Sequence, residues 1–207
     1  MLRLPRITVE VPVLGIGTKP ADYEQLAVYA DGLRSPQGLH MTLLHIGVLE
    51  DFAADVADWT KGATDPAAAA VKTAGWLREL PVLNGFTGTA ERLVLLGGGR
   101  VSGLEVDVPQ SVRDFQVSLV QALRELLDDL LVDNPDDFIL SSRALGYRYP
   151  RWRPHVAVGK PKPQDHPGGH RPRESSGSWE IRPLTVEFGP SQIRNRQLLP
   201  GSGGGRP

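Results

Sequence analysis

His40 and Thr42 stand two residues apart in the apolar run Leu39–Gly47, LHMTLLHIG, where a strand that only filled a core would carry Val or Ile. Side chains at i and i+2 of a strand share a face, so the imidazole and the hydroxyl project together while Met41 and Leu43 project oppositely. The pattern recurs near the other end of the chain: in RPHVAVGK, His155 and Ala157 share one face, and Val156 and Val158 the other. Histidine titrates near neutral pH, so two imidazoles facing each other across a cleft could divide general-base and general-acid work. Alone, His40 reads as a core histidine satisfied by a carbonyl and Thr42 as ordinary strand composition. The matching context of His155 is what turns the reading toward chemistry.

Immediately before His155, in GYRYPRWRPH, Tyr147, Tyr149 and Trp152 alternate with Arg148, Arg151 and Arg153. Aromatic rings stack on bases and guanidinium groups pair with phosphates, which makes this stretch a local nucleotide-binding candidate. The plainer reading is an aromatic strand entry with solvated arginines. His45 has the opposite strand parity to His40 and, in a straight strand, points away from it. His166 and His170 could hold a metal if Asp165 joined them, but their loop offers no evident rigid support of the kind metal ligands need, and no metal is expected. Gly97 to Arg100, GGGR, lacks the Gly-Lys-Ser/Thr ending and following helix of a phosphate loop, and reads as a tight turn.

These residues must be positioned by a chain of 207 residues with 23 lysines and arginines against 24 aspartates and glutamates, so no global basic field advertises a nucleic acid or a membrane. Absence of cysteine excludes disulfides, thiolate nucleophiles and Cys-ligated zinc. The N-terminal residues are broken by Pro5, Arg6, Glu10 and Pro12, unlike a signal peptide, and no later apolar run approaches membrane-spanning length. A cytoplasmic protein is expected, in the host cytosol if phage-encoded, with no evident protein partner.

Ile7, Val9, Val11 and Val13 alternate as a strand, which Pro12 suggests lies near an edge. Thr18 and Pro20 then open a helix with Tyr23, Leu26, Ala30 and Leu33 on one face. After the His40 strand, residues 51–80 predict one or two helices, restarted at Asp65 and Pro66. A hairpin turns at Gly97–Gly99. Ser111 and Asp114 form a capping-box pattern for a long helix striped by Val112, Phe115, Leu119, Leu123, Leu126 and Leu130. The His155 strand, a surface loop over about 161–178, and a strand with Leu184, Val186 and Phe188 follow. The class is α+β, helices on a mostly antiparallel sheet, in one domain over 1–198 with a flexible tail at 199–207.

With these residues in view, the chain resembles the 2H phosphoesterases, of the cyclic phosphodiesterase-like kind, named for two His-x-Thr/Ser motifs on paired strands of a bilobal α+β fold. The resemblance rests on LHMTLL, on ERLVLLGGGRVSGLEVDV before the long helix, on RPHVAV after it, and on their order, and extends to WEIRPLTVEFGPSQI. It implies a bilobal fold with a central cleft and a metal-independent, cofactor-free phosphodiesterase. Its substrate would be a nucleotide or RNA end: a 2′,3′-cyclic phosphate, or a cyclic di- or oligonucleotide of the kind some phage members destroy to silence bacterial defence. His40 and His155 would be the acid–base pair, in either order, and Thr42 would hydrogen-bond a non-bridging phosphate oxygen. Ala157, Tyr147, Tyr149, Trp152, Arg151 and Arg153 would line the substrate. Ala157 departs from the motif; losing a hydrogen bond to charged oxygen, roughly 1.5–3 kcal/mol, slows a reaction by about one to two orders of magnitude. Ser141, Ser142, Tyr147 and Tyr149 are candidate replacement donors. The alternative is a non-catalytic module of this fold that binds nucleotides or RNA ends; the bland reading is a globular protein with two paired core histidines.

Overall fold

The alternating valines of the N-terminal segment become β1 (Ile7–Ile16), the strand from which the sheet spreads to both sides. In a computed structural model that describes residues 6–145, 152–162 and 178–195, β1 pairs antiparallel with β3 (His40–Gly47) along one edge. Along its other edge its first half pairs with β8 (Gln192–Asn195) and its second half with β7 (Ser178–Phe188). The expectation of an edge strand is therefore wrong, for a reason that still concerns Pro12. Pairing with β8 stops at Glu10 and pairing with β7 starts at Val13, so the residue without an N–H sits at the changeover between partners, where its carbonyl accepts from Gly189 N (2.9 Å).

The remaining strands are β2 (Ala30–Asp31), β4 (Phe86–Leu96), β5 (Val101–Asp107) and β6 (His155–Pro161). All pairings are antiparallel in the order β2-β6-β3-β1-β7-β4-β5, and β6 also pairs with β5, so the path returns on itself. The β4–β5 hairpin turns through Gly97, Gly98 and Gly99, all at positive φ, a conformation that only glycine adopts without strain.

Among the described residues five α-helices accompany the sheet: α1 (Pro20–Glu24), α2 (Leu49–Trp59), α3 (Pro66–Glu79), α4 (Gln110–Asp129) and α5 (Pro135–Ser141). The restart at Asp65 and Pro66 is real, with the Asp65 carboxylate accepting from Ala68 N at 3.0 Å. Two expectations fail locally. The helix from Thr18 is one turn continued as a 3-10 turn (Gln25–Val28), and the Asp22 carboxylate accepts from the Thr18 and Lys19 backbone N–H groups in place of a threonine cap. Ser111 makes no capping box; α4 starts after Pro109, and Gln110 Nε2 donates to Asp114 (2.8 Å).

The stripe of α4 buries Val112, Leu119, Leu123 and Leu126 in one apolar cluster with Val9, Val11, Met41, Leu104, Val106 and Val156 of the sheet. Fully burying such a side chain contributes about 1.5–3 kcal/mol. The apolar face of β3 and β6 is thereby spent on the core. Their other face is left for polar groups.

Candidate functional site

Met41 and Val156 are partners across β3 and β6, both fully buried. Partners across an antiparallel pair share a face, so their immediate neighbours, His40 and Thr42 on one strand and His155 and Ala157 on the other, lie together on the opposite face. All four are partly buried. Trp152 clamps the two segments: its indole Nε1 donates to the Thr42 carbonyl at 3.1 Å. Val106 N also donates to the Pro154 carbonyl (3.0 Å), fixing the entry to β6 from the side of β5.

The polar face continues across neighbouring strands. Glu105 of β5 is the partner of His155, Arg92 of β4 that of Glu105, and Glu180 of β7 that of Arg92. On the other side Glu10 of β1 is the partner of Thr42, and Gln192 of β8 that of Glu10. The two runs meet where Met41 pairs with Val156.

His155 donates from Nδ1 to the Arg153 carbonyl, 2.8 Å away. A carbonyl can only accept, so the neutral ring carries its proton on Nδ1 and its lone pair on Nε2. The side chain of Arg153, 62% exposed, pairs with Glu105 at 3.2 Å. Both line a pocket of about 500 Å³ with Arg92, Arg113, Trp152 and Pro154. Arg92, Glu105 and Arg113 were not singled out in the sequence because they sit in the β4–β5 hairpin and α4, far along the chain from His155.

His40 is held differently. Arg194 Nη1 lies 3.1 Å from His40 Nδ1, and Glu10 Oε2 lies 3.4 Å from His40 Nε2. Glu10 is 1% exposed, yet its carboxylate is well supplied: Arg194 Nη1 at 3.3 Å, Thr8 Oγ1 at 3.2 Å and Gln192 Nε2 at 3.4 Å. A buried charge needs such partners, since desolvation is otherwise uncompensated. Glu10 was legible only as a polar residue alternating with valines, and Arg194 belongs to β8, a four-residue strand with no periodic signal.

Ala157 is the partner of Gly103, and the Leu96 side chain lies where a Cβ on Gly103 would point. The surface beside His40 is therefore apolar where the motif calls for a hydroxyl. Neither serine offered as a replacement is available: Ser141 Oγ donates to the Asp137 carbonyl (2.7 Å) and Ser142 Oγ to Asp55 Oδ2 (2.7 Å). Tyr147, Tyr149 and Arg151, like Asp165, His166 and His170, lie outside the described residues. Among the described residues no three acidic or histidine side chains are grouped to hold a metal.

His45 departs from its expected orientation. Glu10 pairs with Thr42 but Thr8 pairs with His45, so two steps on β1 match three on β3. This bulge buries Leu43 and Leu44 in succession and brings His45 round to the face of His40 and Thr42. Burial, and then the nearby Arg6 charge, hold its imidazole below the ordinary histidine range.

No family model matches the chain, and no curated protein does. Solved structures similar to it include TT0787 of Thermus thermophilus, at 13% identity over 92% of this chain and 94% of that one, with a TM-score of 0.43. A protein described as a phosphoesterase aligns at 12% identity over 92% and 98%, with a TM-score of 0.39. Escherichia coli LigT complexed with 3′-AMP aligns at 13% identity over 93% and 95%, with a TM-score of 0.39. The chain itself is an α+β protein with an antiparallel sheet and five α-helices among its described residues, and none of those helices is long and apolar enough to cross a membrane.

Proposed function

We propose that the chain is a 2H-type phosphodiesterase that hydrolyses a nucleotide or RNA phosphodiester without a metal ion, acting on a 2′,3′-cyclic phosphate end or a cyclic di- or oligonucleotide. The observation that carries this reading is the pairing of Met41 with Val156, which lays the two histidine segments side by side on one polar face. His155, with its lone pair on Nε2, takes a proton from the attacking water. The oxygen forms a bond to phosphorus, the bond to the ribose oxygen breaks, and His40, which takes up a proton before this step, passes it to the leaving oxygen. A cyclic phosphate thus opens to a monoester with no other reactant. Thr42 donates to a non-bridging oxygen, and Trp152 and Arg153 flank the nucleoside side of the site. Each acid–base group contributes about 10²–10⁴-fold to such a reaction.

The test is incubation with excess EDTA and a panel of cyclic mononucleotides, 2′-5′ and 3′-5′ oligonucleotides and cyclic dinucleotides, with products resolved by chromatography. Hydrolysis by the wild type that falls at least about a hundredfold in both His40→Ala and His155→Ala is the expected result. Full activity in both variants removes the reading. A second reading, a nucleotide-binding module without turnover, is favoured by the apolar surface that Ala157, Gly103 and Leu96 present beside His40. It calls for saturable binding of one panel member with no product.

A further inference from the structure

Two groups that no motif names meet at His40. Glu10 comes from β1 and is almost completely buried; Arg194 comes from β8, 154 residues away from His40 in the chain. A guanidinium group has donors and no acceptor, so its contact with His40 Nδ1 requires a lone pair there. The neutral ring then carries its proton on Nε2, the atom that faces the Glu10 carboxylate. This is the opposite tautomer to that of His155, whose Nδ1–H is fixed by the Arg153 carbonyl. Thr8 and Gln192 hold the carboxylate from either side, and the same Arg194 nitrogen bridges it to the imidazole.

We infer that Glu10 and Arg194 form a positioning device that fixes His40 as its Nε2–H tautomer and reserves Nδ1 as the nitrogen that exchanges protons. Glu10 anchors the side of the ring turned into the protein. Arg194 covers Nδ1 until a phosphate oxygen, a stronger partner for a guanidinium group than a neutral imidazole, draws it away. The anion of the substrate would then uncover the proton-transfer atom as it binds. The kinetic part of this inference rests on the phosphodiesterase reading, whereas the tautomer does not.

The first measurement is made on the wild-type chain labelled with ¹⁵N-histidine, using long-range ¹H–¹⁵N correlation above the titration of His40, with its signals assigned by their loss in His40→Gln. A pyridine-like Nδ1 and a pyrrole-like Nε2 are expected; the reverse pattern overturns the inference. Glu10→Gln keeps the size of the side chain and removes the charge. The expected result is a mixed or reversed His40 pattern, with kcat lower by about tenfold or more and KM little changed, the loss typical of removing a partner that orients a histidine. An unchanged His40 pattern with unchanged kcat in a folded Glu10→Gln variant also overturns it. Should Glu10→Gln fail to fold, the wild-type spectrum decides alone. If the wild type turns over no nucleotide, the phosphodiesterase reading fails and the spectrum still decides the device.

Discussion

A histidine gains or loses meaning with the direction it faces, and His45 shows how one inserted residue changes that direction. Its parity in the sequence sends it to the core side of β3, while the bulge at Leu43 and Leu44 returns it to the polar face in a half-buried setting near the Arg6 charge. Its folded-state pKa lies below the unfolded value of about 6.5, so the unfolded chain binds the proton more readily. The sign follows: His45 costs nothing above that value, and stability falls as the pH drops through it. His45→Gln is expected to flatten the loss of stability between pH 7 and pH 5, read from denaturant midpoints at both values. Equal slopes in wild type and variant would remove the role assigned to the burial of His45. At this scale the sequence was readable at His40, Thr42, His155 and Ala157, because strand parity is a local property. It was unreadable at Glu10 and Arg194, whose significance is a contact between distant strands.

Among elements, the turn after α5 shows how the surroundings of β3 are braced. Asp55 of α2 accepts from Ser142 Oγ, Arg143 N and Ala144 N, and the Ala144 backbone packs directly on Gly47 at the end of β3. Gly47 has φ +84°, and any Cβ there would run into the Ala144 carbonyl. Gly47→Ala combines a disfavoured backbone region with a backbone collision, so a loss of about 1–3 kcal/mol or more is expected in equilibrium unfolding. A loss below about 0.5 kcal/mol, the range of an ordinary surface change, would refute that account. The long periodic elements, α4 and the β4–β5 hairpin, emerge from the sequence because many residues repeat one signal. The short ones do not: α5 has seven residues and β8 four, and both exist through tertiary contacts such as the edge-to-face stack of Phe138 on Phe52 and Trp59.

For the whole molecule, the central fact is one apolar cluster shared by α2, α4, α5 and the sheet. Leu123 lies in it at 1% exposure. Leu123→Ala is expected to cost about 2–5 kcal/mol through lost transfer and a residual cavity. Because the cluster is shared, tryptophan fluorescence and far-ultraviolet circular dichroism should shift together in that variant. Separate transitions would indicate that the helices and sheet unfold independently.

The closed strand path bears on the chain's synthesis. β1 waits for β7 and β8, which follow the other described elements in the chain, and His40 is not flanked by its guanidinium until residue 194 has been made. Pairings of such long sequence separation form late and slowly. A ribosome-bound chain can therefore complete its α2–α3 hairpin and the β4–β5 turn while His40 still lacks both the neighbouring segment of His155 and the guanidinium group of Arg194.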